Sequence, residues 1–175
     1  MPPPQLIRLF GAIMAFSGCF SLGLMKLRRE KARIHALEAL CAALSQMRVE
    51  LGARLTSLPA LADMLSKRAE GDARRFFAAL CEKLTFLGQS ELCELWAECA
   101  RGELSALCAD ELNDFIALGR ILGRGELSSQ LDAIANCEGA LNRALCAARA
   151  KHADKRRLTL GVSASAGLML VIMLI

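Results

Sequence analysis

Apolar residues recur every three or four positions through the middle of the chain, which is the spacing of one face of an α-helix. The clearest run predicts a helix over residues 28–52, with an apolar face of Leu37, Leu40, Leu44, Met47 and Leu51. No stretch has the strict apolar–polar alternation of a half-buried strand. The pattern therefore predicts an all-α fold.

Further helices are predicted from capping residues and apolar stripes. Pro59 suits the first turn of a second helix, which Gly71 is expected to end. Asp72, Ser90 and Asp110 are expected to begin the third, fourth and fifth helices, and a long sixth begins after Gly125. The inward-facing residues of these helices are predicted to be Phe76, Phe77, Leu80, Leu84, Leu87, Trp96, Leu112, Phe115, Ile116, Ile121, Leu127, Leu131, Ile134, Leu141 and Leu145. About six helices with short links predict an antiparallel bundle.

Both ends of the chain are apolar. Residues 9–25 form an uncharged run, and residues 158–175 form a second run that spans about 27 Å as a helix, close to the thickness of a bilayer core. We interpret both as transmembrane helices, with the sixth helix continuing into the second one. A cleaved signal peptide, or a lipoprotein signal with Cys19 as the lipid carrier, is the alternative for the first run. A buried hairpin arm is the alternative for the second.

Basic residues flank both apolar runs on their inner sides. The first collar contains Lys26, Arg28, Arg29, Lys31 and Arg33, and the second contains Arg149, Lys151, Lys155, Arg156 and Arg157. Because basic residues next to membrane helices stay in the cytoplasm, residues 26–157 are predicted to be cytoplasmic. Residues 1–8 are then predicted to be a short extracytoplasmic N-terminus. The collars are expected to contact anionic lipid headgroups. No aromatic residues accompany them, so nucleic-acid binding is not expected.

No constellation of catalytic or metal-binding residues is apparent. The chain has eight cysteines without a C-x-x-C pair, and its two histidines stand alone. In a reducing cytoplasm these cysteines are expected to serve as small apolar residues. The sequence therefore predicts a scaffold, not an enzyme, with no metal or cofactor.

Acidic residues dominate residues 91–114, which hold seven carboxylates and a single base, Arg101. Glu91, Glu94 and Glu98 are candidate contacts for a basic partner. The alternative is a solvated helix face without a partner.

The stretch LGRILGRGELSSQLDAI, residues 118–134, predicts a tight reversal between two helices. Gly119 and Gly123 are expected to supply positive φ around Leu122, and Gln130 to fasten the turn by a hydrogen bond. A phosphate-binding loop is excluded because there is no preceding strand and no G-K-[ST] sequence. Arg124 and Glu126 at the tip are candidate partner contacts, or they only keep the corner soluble.

Four stretches of the chain resemble the stage III sporulation protein AB family: RLFGAI at 8–13, VELGARLTSLPALADML at 49–65, the stretch at 118–134, and LTLGVSASAGLMLVIMLI at 158–175. The residues that match the family's pattern are Glu50, Thr56, Leu58, Pro59, Gly119, Leu122, Gly123, Gln130, Ile134, Leu160, Gly161, Val162, Gly167 and Leu168. The chain departs from that pattern at Ala53, Ser57 and residues 124–126. GRGELSSQLDAI also resembles a turn of the inner-membrane platform protein of type II secretion.

The resemblance implies a role in the channel that links mother cell and forespore. The protein would be a non-enzymatic membrane platform, in the mother-cell membrane around the forespore, that docks a secretion-type ATPase and other channel subunits. Two other functions stay open: a platform of another pilus or secretion system, and a membrane sensor or adaptor in which Cys93 and Cys99 do redox or metal chemistry.

Overall fold

Six α-helices are assigned along the part of the chain that the computed structural model describes, and no strand occurs there. Side chains are described for residues 28–54, 56–84, 91–123 and 126–151, and beyond them only the bounds of the first and last helices are given. The helices are α1 Pro4–Arg54, α2 Leu58–Arg68, α3 Gly71–Leu84, α4 Leu92–Glu103, α5 Ala109–Ile121 and α6 Leu127–Leu174. The predicted all-α fold is confirmed.

Each helix packs against the next one along the chain, and α6 returns to pack against α1. The ion pairs show the relative directions of the helices. Glu38 of α1 pairs with Arg149 of α6, and Arg48, ten residues further along α1, pairs with Glu138, which lies eleven residues earlier in α6. The two ion pairs between α3 and α4 run in the same reversed order. Helices α1 and α6 are therefore antiparallel, and so are α3 and α4, as expected for an up-and-down bundle.

The bundle has two distinct ends. The tail end carries residues 32–38 of α1 beside Arg149, and α1 and α6 continue from it toward the chain termini. The turn end is the opposite one, where a Cβ added at Gly52 of α1 would stand 3.6 Å from the side chain of Leu131 of α6.

The apolar stripe predicted for α1 faces the core along its whole length. All five of its residues are buried, and the stripes of α3 and α6 meet it from two sides. Four aromatic rings fill the centre between α3, α4 and α5, in contacts with centroids 4.9–6.4 Å apart: Phe76, Phe77, Trp96 and Phe115. Among the predicted inward-facing residues that the structure describes, Leu112, Leu127 and Leu131 are only partly buried, and Ile121 is 40% exposed.

The Trp96 ring lies directly on the backbone of α5. Its Nε1–H donates a hydrogen bond of 2.9 Å to the carbonyl oxygen of Phe115, and the ring then covers Gly119 one turn further along. A Cβ at Gly119 would stand 2.9 Å from the Trp96 Cβ and closer still to two ring atoms. The expectation that Gly119 supplies positive φ is therefore wrong: it lies inside α5 and makes room for the indole ring.

The predicted helix boundaries need three corrections. Gly71 does have positive φ, 54°, but it opens α3, because α2 already ends at Arg68. Asp72 lies within the first turn of α3, where it pairs with Arg75. Cys108, not Asp110, precedes α5, and its N–H donates to the Glu111 carboxylate at 2.8 Å. Leu87 and Ser90 lie outside the described residues.

Within the described residues no helix is both long and apolar enough to cross a membrane. The two predicted transmembrane segments, residues 9–25 and 158–175, lie outside the residues whose side chains are described, and so does the predicted N-terminal segment 1–8.

We predict that Gly119→Ala destabilises the protein by about 1–3 kcal/mol, because the added methyl overpacks the indole ring. Gly102→Ala is the matched control: Gly102 is also helical, but a Cβ there would meet no atom within 4 Å, so up to about 1 kcal/mol of stabilisation is expected. Thermal unfolding can be followed by the emission of Trp96, the single tryptophan. Equal stability of the two variants would contradict this account.

Candidate docking surface

The turn between α5 and α6 is closed by the hydrogen bond that the sequence predicts for Gln130. Helix α5 ends at Ile121, Leu122 is buried, and Gly123 adopts φ 80°, a conformation that side chains with a Cβ rarely adopt. The Gly123 N–H then donates to Gln130 Oε1 at 3.4 Å. Residues 124–125 lie outside the described residues, so the predicted contact at Arg124 stays a prediction.

Gly123, just beyond the end of α5, lies close to two other helices. A Cβ at this position would stand 3.1 Å from Leu92 Cδ2 at the start of α4 and 3.4 Å from Leu58 Cδ1 at the start of α2. Three helix termini therefore meet at one point of the turn end. Leu92 was not singled out from the sequence, although an apolar residue between Glu91 and Glu94 is a signal of such a contact.

The corner between α1 and α2 closes beside this point. Thr56 Oγ1 donates to the Glu50 carbonyl oxygen at 3.5 Å, and the Glu50 carboxylate pairs with Arg54 at 3.5 Å. Pro59 stands in the first turn of α2, where its missing N–H costs no hydrogen bond. Segments 49–65 and 118–134, far apart in sequence, thus form one surface.

The predicted acidic contacts do not all lie on that surface. Glu94 and Glu126 are exposed at the turn end, and Glu91 immediately precedes α4 beside Leu92. Glu98 stands a turn further along α4, and its carboxylate is paired with Lys83 Nζ at 2.7 Å. The turn end therefore combines Glu91, Glu94 and Glu126.

Two further carboxylates of the acidic stretch are engaged within the bundle. Glu103 pairs with Arg75 at 3.5 Å, and Glu111 is buried at the start of α5. The Arg33 guanidinium holds Glu111 through both Nε and Nη2, and this hydrogen bonding raises the pKa of Arg33. Nothing in the sequence signals this pair, because its members are 78 residues apart.

The pairings also change the picture of the basic collars. Arg33 and Arg149 are engaged by Glu111 and Glu38, and the bond from Arg149 lowers the pKa of Glu38. Arg28 and Arg29 are exposed, as a contact with lipid requires. The remaining predicted membrane-surface residues, which are Lys26, Arg156 and Arg157, lie outside the described side chains.

An exposed apolar residue lies near the same surface. Val49, on the last turns of α1, is 61% exposed, a high fraction for a large aliphatic side chain. It is the first residue of segment 49–65, and together with the three glutamates it gives the turn end both charge and apolar area.

The described cysteines are placed as core or isolated surface residues. Burial raises the pKa of the Cys41 thiol to about 11 and that of the Cys137 thiol to about 12. It raises the pKa of Cys99 as well, so a reactive Cys99 is not supported. In the described part of the chain no three His, Cys, Asp or Glu side chains are grouped as metal ligands.

Comparison with known proteins identifies a family. A family model described as "Stage III sporulation protein AB (spore_III_AB)" matches residues 8–175. A solved structure described as "Stage III sporulation protein AB (SpoIIIAB)" is similar with a TM-score of 0.63 and 19% sequence identity, over 70% of this chain and 97% of that one. At that identity the likeness shows the fold alone. No curated protein matches the chain.

We predict that iodoacetamide at pH 8 modifies the exposed Cys108 and Cys146 of the folded protein and leaves Cys137 intact. A thiol with a pKa of about 12 is ionised in only about one molecule in ten thousand at that pH, and the thiolate is the reacting form. Peptide mass spectrometry measures the adducts, with urea-unfolded protein as the control in which all cysteines react. Equal modification of Cys137 and Cys108 in the folded chain would contradict the packing of α6.

Proposed function

The chain belongs to the stage III sporulation protein AB family, and from this premise we propose that it is a non-enzymatic membrane platform that docks a secretion-type ATPase. The observation that supports the proposal best is the polarity of the bundle. Helices α1 and α6 leave it from the tail end, whereas segments 49–65 and 118–134 meet at the opposite end.

The pairing of α1 and α6 supports the proposed attachment to the membrane. These helices are antiparallel, with Glu38 beside Arg149, and both continue beyond the bundle in the same direction. The apolar segments 9–25 and 158–175 therefore enter the bilayer side by side from the tail end. A bundle attached at two adjacent points is held upright, with its turn end facing the cytoplasm.

The basic collars support the proposed orientation in the membrane. The exposed basic residues nearest the two apolar segments lie on their bundle side: Arg28 and Arg29 on α1, and Lys151 on α6. Basic flanks stay on the cytoplasmic side, so the bundle faces the cytoplasm. In a sporulating cell the membrane concerned is that of the mother cell around the forespore.

The turn end is the surface that reaches a cytoplasmic ATPase. Glu91, Glu94 and Glu126 give it negative charge, and Val49 adds exposed apolar area. Such a surface fits a partner with a basic rim around an apolar centre. Because α6 begins at the turn end and continues toward the membrane, a displacement of the turn by the ATPase is transmitted along a single helix.

We expect the E91K/E94K variant to recover at least about tenfold less ATPase in a pull-down from detergent-solubilised membranes, because like charges then oppose the basic partner. The matched control is E70K/D110K, which reverses two exposed carboxylates at the tail end and should recover the wild-type amount. Equal recovery by both variants would exclude the turn end as the docking surface.

We also expect the full-length protein to stay with membranes at pH 11, because two apolar helices hold it there. Protease added outside intact spheroplasts should leave residues 26–157 uncut, and protease added after lysis should cut them. Release by alkali, or digestion in intact spheroplasts, would contradict membrane attachment or its orientation. Heat-resistant spore counts after complementation of a deletion strain test the role in sporulation.

A further inference from the structure

We propose that the corners of the bundle at the tail end, α2–α3 and α4–α5, bind anionic lipid headgroups through Arg68, Arg74 and Arg101. The inference rests on the membrane attachment proposed above and extends it. It adds to the two helix collars a second group of cations that the sequence places far from any apolar segment. The tail end of the bundle, called here the end face, would then contact the bilayer surface in addition to being anchored by two helices.

The contacts of the structure bring these arginines to the tail end. Arg68 lines the same groove as Ala32 near the described start of α1, together with the link between α2 and α3. Arg75, next to Arg74 in the first turns of α3, pairs with Glu103 in the last turn of α4 at 3.5 Å. This pair places the last turn of α4, which contains Arg101, at the same end of the bundle as the α2–α3 corner.

The ion pair of Arg33 with Glu111 gives the height of this end face. It joins α1 to the start of α5 at a level eight residues beyond the predicted end of the first apolar segment. At 1.5 Å per residue, that level is about 12 Å above the hydrocarbon core. Headgroups fill roughly the first 5–8 Å of that distance. Cations on this face therefore lie within a Debye length, about 8 Å, of the headgroup charge.

With the described collar residues included, the end face has an excess of positive charge: residues 28–38, 67–75, 101–111 and 149–151 contain eleven Lys or Arg and seven Asp or Glu, a net charge of +4. Most of the carboxylates are also paired locally. Arg75 holds both Asp72, at 2.7 Å, and Glu103, and Arg33 holds Glu111. Glu38 is held by Arg149 in the same way. Glu70 and Asp110 are the exposed carboxylates beside these pairs.

The three corner arginines are free to meet an external anion. Each is exposed, and in the described part of the chain none of them forms an ion pair. A guanidinium forks around a phosphate with two hydrogen bonds, which suits a phosphodiester headgroup. The turn end carries three exposed glutamates beside the exposed Arg54 and Arg120, so it has no comparable excess of cations.

Hydrogen–deuterium exchange of the full chain in nanodiscs tests the inference. One set contains phosphatidylcholine alone, and a second contains about 30% phosphatidylglycerol. We expect the amides of residues 68–75 and 101–111 to exchange several-fold more slowly in the anionic discs, and this difference to shrink in high salt. The variant R68Q/R74Q/R101Q should lose the difference.

Two matched variants complete the design. R48Q/R54Q/R120Q removes the same number of charges from the turn-end half of the bundle and should keep the difference. R68K/R74K/R101K retains the corner charges and should keep it as well, so a loss in the glutamine variant alone reports charge and not misfolding. Equal exchange in both disc types, or a difference that survives in R68Q/R74Q/R101Q, overturns the inference.

Failure of the underlying proposal gives a different result. If the chain is not membrane-attached, it is released by alkali and does not remain in either disc type. If it is attached and only the headgroup contact is wrong, it remains in both disc types with identical exchange. Free inorganic phosphate added to the zwitterionic discs should give no protection, and full protection by it would also contradict binding to the bilayer.

Discussion

The contact of the Trp96 ring with the backbone of α5 is the constraint on which the rest of the bundle depends. The indole reaches the Phe115 carbonyl only because Gly119 leaves its path open. This contact fixes how closely α4 and α5 approach, and the rings of Phe76 and Phe77 then close the centre from α3. The same approach determines where α5 ends, and hence where the α5–α6 turn meets α4.

The turn end and the tail end are coupled through that packing. At one end of α5, Gly123 lies against Leu92, and at the other, Glu111 is held by Arg33 of α1. Helix α5 is therefore held at one end by the start of α4 and at the other end by α1. A displacement of the turn can reach the tail end by two routes, along α6 directly and through α5 to α1.

Local sequence signals predicted the helices well, and they did not predict how the helices are joined. Leu37 and Leu44 belong to an apolar stripe with the 3.6-residue periodicity of a helix, so helix α1 and its buried face could be predicted. Gly119 was assigned to a turn because a glycine near a helix end usually serves there, and its partner Trp96 is 23 residues away. In the sequence, Arg33 belongs to a basic collar and Glu111 to an acidic stretch. The fold brings the two together as an ion pair. Pairings between distant residues leave no pattern in the local sequence.

The arrangement of charge follows from which carboxylates the fold neutralises. In sequence the acidic stretch 91–114 is uniform, but in the fold Glu103 pairs with Arg75 and Glu111 pairs with Arg33 at the tail end. Glu91 and Glu94 lie at the opposite end together with Glu126. Without those two pairings, the buried Glu111 and the half-buried Glu103 would leave unpaired negative charge at the tail end. The distribution of charge between the two ends is thus produced by the packing of α1, α3 and α5, and not by composition.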